Sequence, residues 1–239
     1  IRALQQKKFR QERGLFVVEG LKTVQELKRS SFDIEAVYTT EPLNFLHDGD
    51  DQIVHFIKPQ ELERISGLRS PNKVLAIARI PQPIEIDWDS ELILILDSIN
   101  DPGNLGTIIR TAKWFGVDTI ICSEDCADAY DRKVVQSTMG ALFHVNIHYQ
   151  LLPTIVEQCK KNSFKIAGAA MNGESIYNYS KSTKTALVIG SESHGISKEI
   201  LEGCDSFVTI PNNESVQQVE SLNAGIATSI LLSELSRPT

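Results

Sequence analysis

The chain of 239 residues has no long hydrophobic run, no paired cysteine motif and no metal-binding histidine spacing. Nothing in it approaches the roughly 18 uninterrupted apolar residues of a membrane helix; the apolar runs at 92–96 and 186–189 are the length of strands. The opening residues, from Ile1 and Arg2 onward, are basic and polar and lack the apolar core of a signal peptide. Cys122, Cys126, Cys159 and Cys204 are scattered with no CxxC pair, which fits apolar filler in a reducing cytoplasm rather than a disulfide framework. His47, His55, His144, His148 and His194 show no HExxH-type spacing, so no metal is expected. No GxGxxG run follows an expected strand, which speaks against a nicotinamide-dependent oxidoreductase. What is present, 41% hydrophobic and 23% charged residues, is the composition of a globular protein rather than a disordered or fibrous one.

A net charge of −7 argues, taken alone, against a nucleic-acid binder. The average hides an asymmetry: residues 1–84 carry +2 and residues 85–239 carry −9. The first thirteen residues hold Arg2, Lys7, Lys8, Arg10 and Arg13 against Glu12 alone. A basic arm on an acidic body leaves a polyanion partner open, beside the plainer reading of a solvated helix face.

Two halves meet near Pro81-Gln82-Pro83, an extended connector that helices and central strands avoid. Before it the pattern predicts a helix over 18–29, a strand over 34–39, a polar loop over 41–52, a helix over 59–65 and a strand over 74–78. That is a small α/β domain, residues 1–84. Residues 85–239 alternate expected strands (92–96, 119–122, 143–147, 165–169, 186–189, 207–210) with expected helices (104–115, 131–137, 153–161, a short one from 197, and 221–235). Alternation of this kind predicts an α/β domain with a mainly parallel sheet and helices on both faces. Ligands of such sheets sit at the carboxyl ends of the strands, so the loops there are where function is sought.

Three segments follow that rule. In LILDSINDPGNLGTIIRTAKWFG (94–116) a buried strand ends at Asp97, Asp101-Pro102-Gly103 turns, and Asn104 is placed to cap a helix. Leu105, Ile108, Ile109, Ala112 and Phe115 form its core stripe; Gly103, Gly106, Thr107, Arg110 and Lys113 form the other. Glycines on an exposed stripe cost helix stability, about 1 kcal/mol each relative to Ala. They suit close approach of a large ligand, with Arg110 beside it as a phosphate fork; a turn and an amphipathic helix with one surface arginine is the plainer reading. In GSESHG (190–195), Glu192 would repel a pyrophosphate, whereas backbone freed by Gly190 and Gly195 suits a cationic or sugar-bearing ligand; an ordinary strand-to-helix turn explains the glycines nearly as well. In the third segment, Ile210-Pro211 closes a strand and Ser221, expected as an N-cap, opens a helix whose buried stripe is Leu222, Ile226, Ile230 and Leu235.

These three pieces, in this order, resemble the SpoU (TrmH-like) RNA 2′-O-ribose methyltransferases of the SPOUT superfamily. The resemblance covers 92–235 and extends to FRQERGLFVVEG (9–20), which is similar to the opening of the family's ribosomal-protein-like substrate-binding domain. It implies S-adenosylmethionine as methyl donor, a homodimer, and a trefoil knot in the second domain; periodicity shows no knot. It carries Asn104 and Arg110 over as the first motif's catalytic pair, Gly190, Glu192 and Gly195 as the second motif, and Ile210, Pro211, Ser221, Leu222 and Asn223 as the third. In this family the donor is held by backbone near Gly190, Ile210 and Leu222. The sequence departs where Asn212 replaces a methionine after Pro211, and where about three extra residues precede Ser221.

The implied reaction is in-line attack of a ribose 2′-oxygen on a sulfonium methyl group. Arg110 is the family's proposed base; a milder role has it clamp phosphate and stabilise oxyanion charge. Asn104, Ser221 and Asn223 would orient the ribose or hold the motif loops, with Glu192 fixing the loops and Asn104. The first domain, with Lys7, Lys8, Arg10 and Arg13, would select the RNA, ribosomal more than transfer RNA. The alternative is a non-catalytic RNA-binding relative, against which the presence of every motif residue counts.

Overall fold

The computed structural model describes residues 1–46, 52–68, 70–212 and 221–237. The chain divides into two compact units, Ile1–Pro83 with Asp128–His144, and Ile84–Ala127 with Val145–Thr239.

The first unit starts with a 3-10 turn (Arg2–Gln5) and α1 (Lys7–Arg13), then β1 (Leu15–Glu19), α2 (Leu21–Arg29), β2 (Ile34–Thr39), β3 (Val54–Phe56), α3 (Pro59–Ile65) and β4 (Val74–Arg79). The sheet order is β1-β4-β2-β3, with β4 antiparallel to both neighbours and β3 parallel to β2 at the edge. The helix expected over 18–29 is the end of β1 followed by α2. Gly20 makes the break: its φ of +99° suits no L side chain, and a Cβ there would lie 3.3 Å from Asn72 Nδ2. β3 was not expected, because three residues are too few for alternation to show. Part of the polar loop expected over 41–52 lies outside the described residues. One core cluster gathers Leu4, Val17, Leu62, Leu75 and Ile77.

The second unit opens with β5 (Leu92–Asp97), α4 (Pro102–Trp114) and β6 (Thr119–Cys122). The chain then joins the first unit for residues 128–144, which include α5 (Arg132–Thr138) and a 3-10 turn (Ala141–His144). Side chains explain this departure from a single boundary at 84. Arg10, 2% exposed, donates from Nε and Nη2 to Asp128 Oδ2 at 3.0 and 2.7 Å and lies 3.6 Å from Asp131. Phe16 packs on Tyr130 and Phe32 on Phe143, with centroids 4.9 and 5.4 Å apart. Arg10 is thus no RNA contact: its charge is buried and already paired. Phe143, expected in a strand over 143–147, belongs to the 3-10 turn; the strand begins at Asn146.

The rest of the second unit is β7 (Asn146–Tyr149), α6 (Leu152–Lys161), β8 (Lys165–Ser175), β9 (Thr185–Gly190), α7 (Lys198–Leu201), β10 (Ser206–Thr209) and α8 (Ala224–Leu235). Its six strands are all parallel, in the order β10-β8-β9-β5-β6-β7. β5 is central, with Ile93 through Leu96 fully buried, as strands covered on both faces are. Ile93 and Ile95 pack with Ile155, Val156, Cys159 and Ile200 of α6 and α7. Leu94 and Leu96 alternate to the other face.

α8 departs from expectation. Its N-cap is Asn223, not Ser221, and the buried residues are Ala224, Gly225, Thr228, Leu231, Leu232 and Leu235. Of the stripe expected from periodicity only Leu235 is buried; Leu222 and Ile226 are 44% and 52% exposed, and Ile230 is half-buried. A helix whose apolar residues are spread round its circumference does not reveal its inner face by periodicity. The small-residue face wins because it permits close packing on α4: a Cβ on Gly225 would lie 3.0 Å from Thr107 Cγ2, and Ser229 and Thr111 hydroxyls are 3.1 Å apart. Gly106, read as part of an exposed platform, is likewise buried.

Candidate active site

Parallel pairing sets Asp97, the last residue of β5, opposite Gly190, the last of β9. The loop after each strand therefore emerges at the same end of the sheet. After β5, Asp101 is the N-cap of α4, in place of the expected Asn104: its Oδ1 accepts from Asn104 N at 2.8 Å, with Pro102 at the first helical position. Asn104 is left in the first turn with its side chain available.

After β9 the loop folds back on itself. Ser191 N donates to Gly195 O at 3.1 Å and Gly195 N to Ser191 O at 2.8 Å, with Gly195 at φ +67°. A Cβ on Gly190 would lie 2.1 Å from Gly195 C, so only glycine permits this closure. Asp97, 4% exposed, accepts from Ser197 N at 2.7 Å and ties the end of β5 to the far side of that loop.

The third contribution is Asn223. Its Oδ1 caps α8 by accepting from Gly225 N at 3.0 Å and Ile226 N at 3.2 Å, which turns Nδ2 outward. Nδ2 donates to Asn104 Oδ1 and to Glu192 Oε1, both at 2.7 Å. Asn104 Nδ2 donates to Glu192 Oε1 at 3.0 Å, and Ala224 N adds a third bond to that oxygen at 2.9 Å. Residues 88 and 31 positions apart along the chain thus share one carboxylate oxygen. Glu192 and Asn223 are exposed and Asn104 half-buried, so the cluster lies open to a large ligand.

Arg110 is exposed on α4, six residues and about 9 Å along the axis from Asn104. Among the described residues no acceptor pairs with its guanidinium. Ser221 is exposed and makes none of the bonds of the cluster; Leu222 is exposed beside Asn223. Ile210, half-buried, and Pro211, exposed, follow β10. The extra residues expected between Pro211 and Ser221 fall at 213–220, outside the described residues. In the first unit Lys7, Lys8 and Arg13 are exposed on α1. Sequence reasoning missed Asp97 and the capping role of Asp101; an Asp directly before Pro at a helix start was the available signal for the second.

The chain resembles known proteins over nearly its whole length. The model of the SpoU rRNA Methylase family matches residues 91–233, and that of the MRM3-like substrate binding domain matches residues 1–76. The 23S rRNA (guanosine(2553)-2′-O)-methyltransferase RlmP of Bacillus subtilis (strain 168) is 29% identical over 234 residues, 97% of this chain and 92% of that protein. The structure of an RNA methyltransferase of the TrmH family from Porphyromonas gingivalis superposes with a TM-score of 0.87 at 33% identity, over 98% of this chain and 94% of the other. The AdoMet-bound rRNA methyltransferase of Sinorhizobium meliloti gives 0.84 at 27%, over 98% and 91%. A chain that presents all three motifs on this fold, and matches the family model over the whole parallel-sheet half, belongs to the SpoU rRNA methylase family.

Proposed function

We propose that this protein transfers a methyl group from S-adenosylmethionine to a ribose 2′-hydroxyl of ribosomal RNA. The observation that carries this reading is the joining of Asn104, Glu192 and Asn223, from three distant segments, in one open hydrogen-bonded cluster at the carboxyl end of a parallel sheet. The choice of ribosomal RNA is supported by the MRM3-like first domain and by the activity of the B. subtilis relative.

The residues fit the donor. The loop from Gly190 to Gly195, closed by backbone bonds between Ser191 and Gly195 and packed so closely that Gly190 admits no Cβ, forms a rigid wall for an adenosine at the end of β9. Ile210, Pro211 and Leu222 supply apolar contact. The donor contributes an electrophilic methyl group; the protein contributes placement, and holding nucleophile and methyl in line is worth roughly 7–11 kcal/mol of the barrier. An arginine guanidinium keeps its proton at neutral pH, so Arg110 serves as a planar fork for the adjacent phosphate and for charge developing on the 2′-oxygen. Asn104, Asn223 and Ser221 orient the ribose and the motif loops. Glu192, one oxygen already taken by three N–H donors, fixes the loops rather than accepting the ribose proton.

Lys7, Lys8 and Arg13 bring the RNA phosphates to the first unit; Arg10 does not. A second copy of the chain covers α4 and α8: Trp114 is 83% exposed and Ile226 52%, on two helices that pack against each other. No helix among the described residues is long and apolar enough to cross a membrane, and we place the reaction in the cytoplasm, where the RNA and donor are made. Calorimetric titration with S-adenosylmethionine and with NAD, then ribose-methylation mapping of RNA from cells with and without the gene, tests the reading. Heat with NAD alone, or identical methylation maps, would overturn it.

A further inference from the structure

Four residues separate the end of β5 at Asp97 from the start of α4 at Pro102, and the first of them is unusual. Ser98 has φ +59°, the left-handed region that a serine seldom occupies. The loop after β6 holds it there at successive atoms. Ser98 N donates to Ser123 Oγ at 2.9 Å, and Ser98 Oγ donates to Asp125 Oδ2 at 2.7 Å. Ile99 N donates to Cys126 Sγ at 3.2 Å, and Ala127 N donates to Ile99 O at 2.9 Å. The Asp125 carboxylate is fixed in turn by Ser123 Oγ, which donates to Oδ1 at 2.5 Å. These hydroxyls, Ser123 first and Ser98 second, hold its carboxyl below the usual carboxylate range, so it stays ionised through the neutral range.

We propose that Asp125 is a positioning residue for methyl transfer: by holding Ser98 left-handed it sets the direction in which the turn enters α4, and so where Asn104 meets Glu192 and Asn223 and where Arg110 stands. The inference rests on the active-site reading above. Asp125 touches none of the cluster residues and lies on the surface, so its replacement leaves the core intact. Cys126, buried beneath the same turn, anchors Ile99 but cannot be changed as cleanly.

The test uses the full chain and the glycine that a left-handed residue invites. Asp125→Ala should bind S-adenosylmethionine as the wild type does, keep its KM for ribosomal RNA, and lose about tenfold in kcat, less than the roughly 10²-fold that a full 1 Å misplacement of a catalytic group can cost. Glycine adopts φ +59° without a carboxylate to hold it, so adding Ser98→Gly to Asp125→Ala should restore kcat to within about threefold of wild type. Asp125→Asn, which keeps an acceptor, should fall between. A wild-type kcat for Asp125→Ala, or a loss that Ser98→Gly does not repair, overturns the inference. Asn104→Ala and Arg110→Ala serve as controls: if they too are fully active, the active-site reading itself has failed.

Discussion

Replacing Glu192 by glutamine keeps an oxygen where Oε1 now accepts from Asn104, Asn223 and Ala224 at 3.0, 2.7 and 2.9 Å. The amide oxygen can receive the same three bonds, each changed from charge-assisted to neutral. Bonds to charged groups contribute roughly 1.5–3 kcal/mol and neutral ones about 0.5–1.5 kcal/mol. Glu192 is exposed, and solvent screening removes much of that difference. About 1–2 kcal/mol over the three bonds remains, a factor of roughly 5–30. Glu192→Ala removes the acceptor, frees both asparagine amides to rotate and should cost on the order of 10²-fold by misplacement. Single-turnover transfer from labelled S-adenosylmethionine to ribosomal RNA measures both, with thermal melts expected to fall by only a few degrees, as a loss of about 1–2 kcal/mol implies for a chain of this size. If the glutamine variant is as inactive as the alanine variant, and the acidic limb of the pH–rate profile disappears in both, Glu192 is a base and the structural role assigned to it is wrong.

Arg110→Lys keeps the charge but loses the fork, and is expected to lower kcat by roughly 10²–10³-fold with donor affinity unchanged; retained activity with a shifted pH–rate profile would instead mark the group as a base. Arg10→Met should cost about 3–5 kcal/mol by stranding Asp128, whose side chain is 14% exposed, and should lower the melting temperature by roughly 10 °C at any salt concentration. Changing Lys7, Lys8 and Arg13 together to Gln should leave melting untouched and flatten the salt dependence of RNA binding by roughly two to three phosphate contacts; equal melting losses in both variants would refute the distinction. Burial holds the His148 imidazole, 6% exposed, below its ordinary range. It is therefore neutral when folded, while the unfolded chain takes up a proton near pH 6.5, so its contribution is complete above about pH 6.5 and is lost as pH falls below it. Melts from pH 8 to pH 5 should show that loss, and His148→Leu should flatten it; an unchanged slope in the variant would count against the assignment.

The order of strands and helices in 85–239 could be read from the sequence because the central strands, β5 and β9, are apolar runs, and the shorter, more polar strands alternate with helical stretches around them. The turn at Asp101-Pro102-Gly103 marks the approach to α4, although its cap is Asp101 and not Asn104, and the six expected strands become six parallel strands. The three motifs were likewise legible as residue types. Their meeting was not, since a hydrogen bond between Asn104 and Asn223 spans 119 positions and depends on strand order, which local pattern does not encode. Arg10 makes the same point with the opposite outcome. Beside Lys7, Lys8 and Arg13 it reads as one more solvated cation, and only the packing of 128–144 against the first unit reveals the two aspartates that bury it. In that packing Tyr130 and Phe143 meet Phe16 and Phe32, residues more than 100 positions earlier in the chain. In α8 apolar residues lie on every side and the polar ones, Thr228, Ser229, Ser233 and Glu234, do not gather on one face, so periodicity carried no information about its inner face. Close approach to α4, which Gly225 and Thr228 permit and Ile226 does not, decided it. Local propensity and burial pattern are properties of neighbouring residues and survive in the sequence; charge pairing, helix rotation and the joining of the three motifs are set by residues distant along the chain, and only the folded backbone brings them within bonding distance.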